Sequence, residues 1–135
     1  MKGSNVSLTL EYVNSAYFKT IWLTITDITN NSVIEQIVEE DGEKTKFTTT
    51  TAPDLAGRII SKLLSAGLEL IENYKPENGI LDGEGFMLKI SGNNQVERKV
   101  VLINPNYSEN STLIEVTKVL RSLAECSPTS LTDKF

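Results

Sequence analysis

Thr51-Ala52-Pro53-Asp54-Leu55-Ala56-Gly57-Arg58-Ile59-Ile60-Ser61-Lys62-Leu63-Leu64-Ser65-Ala66-Gly67-Leu68-Glu69-Leu70-Ile71-Glu72-Asn73-Tyr74 is the segment around which the rest of the chain is expected to pack. Thr51 with Asp54 three residues on has the spacing of a capping box, and Pro53 suits a first helical turn. At about 100° per residue, Leu55, Ile59, Ile60, Leu63, Leu64, Leu68, Leu70, Ile71 and Tyr74 sweep well over half the circumference. Arg58, Ser61, Lys62, Ser65, Glu69 and Glu72 fill the narrow polar remainder. An ordinary buried stripe needs only about 100° of apolar arc, so residues 51–74 read as one long central helix covered on two sides. Gly57 and Gly67 each cost about 1 kcal/mol against alanine inside a helix. Gly67 lies within the apolar arc, which points to close approach by another element.

Upstream, the pattern changes period. Val6, Leu8, Leu10 and Tyr12 alternate with Ser7, Thr9 and Glu11, the signature of a half-buried strand. After a turn at residues 14–16, Ile21, Leu23 and Ile25 alternate with Thr20, Trp22, Thr24 and Thr26. Residues 29–32 are turn-forming, and residues 33–40 are again extended. Asp41-Gly42 is a two-residue hairpin signal of type I′, setting Glu39 and Glu40 across from Glu43 and Lys44. Downstream, residues 75–85 form a loop, 86–90 and 96–103 a strand pair, and 111–125 a second amphipathic helix. Pro128 forbids much continuation, so residues 126–135 read as a flexible C-terminal tail after a single domain at 1–125. The order ββββ-α-ββ-α, with tight turns inside each strand group, specifies an α+β fold. Its two layers are an antiparallel sheet and a pair formed by the long central helix and the C-terminal helix.

A length of 135 residues suits one domain with a core of its own. With 39% hydrophobic and 23% charged residues, the chain falls among globular rather than disordered sequences. No apolar run has the length of a membrane span, and residues 1–5 lead straight into the first strand without a signal-type block. The single cysteine cannot form an internal disulfide, and the expected localisation is cytoplasmic. A net charge of -5 argues against nucleic acid and anionic membrane as partners and is compatible with a basic protein.

The absence of histidine removes the Ser-His-Asp and Cys-His triads and the usual histidine-based zinc sites. Cys126 falls near a helix C-terminus, where the dipole disfavours a thiolate, and reads as a structural thiol. Asp82 and Glu84 gather in a glycine-rich loop and could serve as an acid/base pair or bind a hard cation, but Asp-Gly is ordinary turn material. No enzyme activity, cofactor or metal is therefore expected. Glu35, Glu39, Glu40, Asp41 and Glu43 make one hairpin acidic, and such charge also protects a sheet edge. The aromatics Tyr12, Tyr17, Phe18 and Trp22 gather at the first hairpin. If Ile21, Leu23 and Ile25 meet the helix, Trp22 is left on the outer face as an interface anchor. The expectation is a protein-binding module, a small acidic bacterial inhibitor or immunity-type protein that occludes a basic toxin or enzyme. Its contact residues would be Trp22, Glu39, Glu40 and Asp41. The competing expectation is a homodimeric structural or adaptor domain, joined through the 51–74 helix.

Overall fold

The computed structural model describes residues 6–76, 83–92 and 95–135. Their elements are β1 (Val6–Asn14), β2 (Lys19–Asp27), β3 (Ser32–Glu40), β4 (Glu43–Thr51), α1 (Leu55–Ala66), β5 (Glu84–Gly92), β6 (Gln95–Ile103), α2 (Ser111–Glu125) and α3 (Leu131–Lys134). The strands form one antiparallel sheet of order β4-β3-β2-β1-β5-β6. The α+β architecture expected from the strand and helix order is therefore present. β1 is central although it comes first, because β5 returns from α1 to its free side.

Alternation along the strands sorts the two faces. Leu8, Leu10 and Tyr12 of β1 share one face with Ile21, Leu23 and Ile25 of β2, and with Phe86 and Leu88 of β5. Against that face pack Leu55, Ile59 and Leu63 of α1 and Leu113, Val116, Leu120 and Leu123 of α2. Among the described residues no helix covers the opposite face, and Ser7, Thr9, Glu11, Trp22 and Thr24 lie on that outer side. No helix among the described residues is long and apolar enough to cross a membrane.

Three expectations fail in instructive ways. The long central helix over residues 51–74 is only 12 residues, Leu55–Ala66, because Gly67 ends it. Gly67 takes a left-handed φ of 111° and donates its N–H back to the carbonyls of Leu63 and Leu64. A Cβ there would also collide with Thr112 Cγ2 of α2, so the close approach is real and it lies at the helix end. Leu68–Leu70 makes one 3₁₀ turn, and Arg98 Nη2 of β6 donates to the Leu68 and Ile71 carbonyls at 3.1 and 2.6 Å. The chain then runs on beside β6, where Tyr74 bridges to Leu102.

The capping box is the second failure. Asp54 sits in the left-handed region with φ 66° and its side chain caps nothing. The cap comes instead from the end of β2. Asp27 Oδ1 accepts the Ala56 N–H at 2.8 Å, Asp27 Oδ2 accepts the Gly57 N–H at 2.9 Å, and Ser32 Oγ accepts the Leu55 N–H at 2.9 Å. Ser32 Oγ in turn donates to Asp27 Oδ1 at 2.7 Å. A buried carboxylate at a helix N-terminus is stabilised by those donors and by the helix dipole together.

The third concerns residues 126–135. In place of a loose tail there is a 3₁₀ turn, Pro128–Ser130, followed by α3, with Pro128 and Leu131 buried. Thr132 Oγ1 bonds to Thr51 Oγ1, and the Phe135 ring packs on the core. Three apolar side chains and one hydrogen bond to β4 dock a short segment that carries no long periodic pattern.

Candidate protein-interaction surface

At one end of the sheet the β1–β2 connection, the Asp41-Gly42 turn and the start of β5 come together. The connection is a 3₁₀ turn, Ser15–Tyr17, with Asn14 as its cap; Asn14 Oδ1 accepts the Ala16 N–H at 3.2 Å. Ser15 ties it to β5, its N–H donating to the Gly83 carbonyl at 2.9 Å and its Oγ accepting the Gly83 N–H at 2.7 Å. This clamp leaves Phe18 in the left-handed conformation, φ 50° and ψ 45°, while its side chain is 75% exposed. Tyr17 beside it is 68% exposed. A bulky side chain in that region is an outlier that costs about 1–2 kcal/mol. Burial does not offset the cost here, since the ring stands in water.

The acidic turn adjoins this aromatic pair. Asp41 N–H donates to the Phe18 carbonyl at 3.3 Å, and Lys19 is the register partner of Glu40. Asp41 and Gly42 both have positive φ, 53° and 85°, as a type I′ turn requires. Glu40, Asp41 and Glu43 are exposed.

Beside the β1–β2 connection lies a polar network that fastens α2 to the sheet. Arg121 grips Glu84 with two nitrogens, Nε at 2.9 Å and Nη2 at 2.5 Å, and Nη2 also donates to Asn106 Oδ1 at 3.2 Å. Tyr12 Oη donates to Glu84 Oε2 at 2.7 Å and accepts Asn14 Nδ2 at 3.1 Å. The Arg121 hydrogen bonds hold the Glu84 carboxyl below its ordinary range, against the opposing effect of burial. Burial first, and the Glu84 hydrogen bond second, push the Tyr12 phenol up to about 12. A carboxylate held by a guanidinium is a weaker proton acceptor than a free one. Asp82, its companion in the acid/base reading, lies outside the described residues. Burial raises the Cys126 thiol, which disfavours its thiolate form.

The four residues expected to make contact are divided by the fold. Trp22 and Glu39 share the outer face, one residue pair apart along β2 and β3. Glu40 points to the helix side, and Asp41 occupies the turn. Trp22 is half-buried between the register neighbours Glu11 and Ile37, and Lys44 Nζ stands 5.5 Å over its ring. Lys46 pairs with Glu35 at 3.2 Å, so both lysines of the hairpin are engaged on the outer face and the acidic character concentrates at the turn. Tyr17 and Phe18 are the members that pattern reading leaves out of the contact set. The signal for them was present: residues 15–18, Ser-Ala-Tyr-Phe, make a tight connection without glycine or asparagine at the position that needs a left-handed residue.

The chain matches no protein-family model, and no curated protein is recognisably similar to it in sequence.

Proposed function

We propose that the chain is a non-enzymatic protein-binding module that meets a basic partner through the end of the sheet carrying Tyr17, Phe18, Glu39, Glu40 and Asp41. Trp22 adjoins that end on the outer face. The observation that supports this reading is the exposed, left-handed Phe18 on a clamped turn. Backbone strain that persists without a packing reward concentrates at functional positions. A rigid, solvent-exposed aromatic loses little entropy on docking, and aromatic anchors within a polar rim are the usual core of an interface. The acidic rim supplies steering toward a positively charged surface. In its concrete form the module is a small acidic bacterial inhibitor, of immunity type, that occludes a basic toxin or enzyme and acts in the cytoplasm.

The homodimeric adaptor is the second reading. It draws on Leu64 and Leu70, which are exposed, and on a shallow groove of about 240 Å³ lined by Ile60, Leu64, Leu68, Ile90 and Arg98.

The test compares proteins retained from native lysate at low salt by the wild type, by Phe18→Gly and by Glu40→Lys/Asp41→Lys. Basic proteins retained by the wild type and lost by both variants, and lost from the wild type as salt rises, support the first reading. Identical retention by all three baits overturns it.

A further inference from the structure

The two edges of the sheet are treated differently. Along β6, Tyr74 N–H donates to the Val101 carbonyl at 3.0 Å, Ile103 N–H donates to the Tyr74 carbonyl at 2.9 Å, and Asn73 Oδ1 accepts the Val101 N–H at 2.8 Å. That edge is occupied over Val101 to Ile103. β4 borders only β3. Its two-residue turn makes Glu40 and Glu43 the closing hydrogen-bonded pair, so the odd residues of β4 point their backbone groups at β3. Lys44, Lys46 and Thr48 point theirs outward, and among the described residues these meet no other strand. The helix layer meets this strand at its Thr51 end but leaves its start uncovered: Glu43, Thr45 and Phe47 lie on the helix side yet are exposed.

We propose that β4 is a self-association edge, on which a second copy of this chain lays its own β4 antiparallel about a two-fold axis at Phe47, joining the two six-stranded sheets into one. This interface is separate from the surface proposed above and from the α1 face. The charges of β4 select the register. A continuous sheet must oppose residues of the same face, so the position numbers of opposed residues sum to an even number. A sum of 92 sets Lys46 against Lys46, and a sum of 90 sets Lys44 against Lys46, each a like-charge pair directly opposed. The sum of 94 overlaps the strand along all of Glu43–Thr51 and sets Lys46 against Thr48, Lys44 against Thr50 and Glu43 against Thr51. It also brings Phe47 face to face with its symmetry mate, at a non-hydrogen-bonded position where side chains approach most closely. Larger sums give up the phenylalanine pair and slide the strands toward the Thr51 end, where Pro128–Ser130 packs. The lysines that ordinarily keep an edge from pairing here forbid the wrong registers and leave one open. Since β6 is already occupied along Val101 to Ile103, pairing there is hindered and the assembly closes at two copies.

Sedimentation velocity of the full chain over a wide range of concentration tests this, with circular dichroism to confirm that each variant is folded. The expected result is a concentration-dependent species of twice the 14.9 kDa chain mass. Thr48→Pro removes an outward N–H while keeping the bonds to β3 and weakens association about tenfold or more. Phe47→Lys, at an exposed site, does the same by opposing two charges on the axis, and it decides the matter if the proline variant is unfolded. Phe47→Cys cross-links to itself under mild oxidation and Thr45→Cys does not. A wild type that stays monomeric throughout overturns the proposal. So does a dimer that survives both edge variants and is lost with Leu64→Glu, or equal cross-linking at the two cysteine positions. None of these results bears on whether Phe18 binds a basic partner.

Discussion

Phe18 shows how much can turn on one residue's φ. Its neighbours fix the backbone: Asn14 caps the turn, Ser15 is clamped to Gly83, and the Asp41 N–H holds the Phe18 carbonyl. Glycine adopts φ near 50° without strain, so Phe18→Gly relieves about 1 kcal/mol, offset in part by the added freedom of the unfolded chain. The expected outcome is a melting temperature equal to or a few degrees above that of the wild type, together with lost partner binding. Thermal denaturation followed by circular dichroism checks the first half. A variant that melts well below the wild type would show that the ring contributes packing, and the functional reading of the strain would fall with it. Residue by residue, the sequence disclosed the core alternation well. It disclosed a tight connection without glycine at residues 15–18 but not which residue takes the left-handed φ, because that follows from clamps to residues 41 and 83, far away in the chain.

Among the elements, α1 separates what local pattern can reveal from what it cannot. Its buried residues Leu55, Ile59 and Leu63 stood out in the sequence because they repeat at helical spacing. Its length did not, since Leu68, Leu70 and Ile71 continue an apolar rhythm that an arc count cannot distinguish from more helix. Only Gly67 signalled the end, and a glycine inside an apolar arc reads equally as a packing notch. In the folded chain it is both, a left-handed C-cap and a notch for Thr112. The start was illegible for a different reason: Asp27 and Ser32, which cap it, belong to another hairpin. Asp27→Ala leaves the Ala56 and Gly57 amides without their acceptor in a buried position and is expected to cost about 2 kcal/mol or more. Thr51→Ala, at the position of the apparent capping box, is expected to cost less. Chemical denaturation of the two variants side by side decides between the distal and the local cap. Strands were read more closely, β1, β3 and β6 to within one residue of their ends, while β5 runs two residues further at each end than its apolar pattern.

For the molecule as a whole, apolar packing joins the helix layer to the sheet, and among the described residues the ion pair that fastens α2 to it is Glu84–Arg121. The folded-state pKa of Glu84 is depressed, so its contribution to stability is present above the ordinary carboxylate range and is lost as pH falls through the depressed value. Glu84→Gln should cost about 2 kcal/mol at neutral pH, and that deficit should shrink as acid is added, because the wild type gives up the same interaction. Urea midpoints measured from neutral to acidic pH check this; a deficit that stays constant across the range would mean that the carboxylate charge is not what the site uses. At the alkaline end Tyr12 behaves in the opposite sense, its contribution complete below the ordinary phenol range and fading as pH rises toward about 12.

The distal cap also imposes a timetable on assembly. With only 12 residues and no start signal of its own, α1 is too short to persist in water by itself. A peptide spanning residues 51–76 should accordingly be coil by circular dichroism. During biosynthesis the Asp27–Ser32 corner emerges well before Leu55 does, so the acceptor waits for the helix that needs it. The first amides of α1 thus find their acceptors on a hairpin synthesised earlier, which ties this helix of broad apolar arc to docking on the sheet.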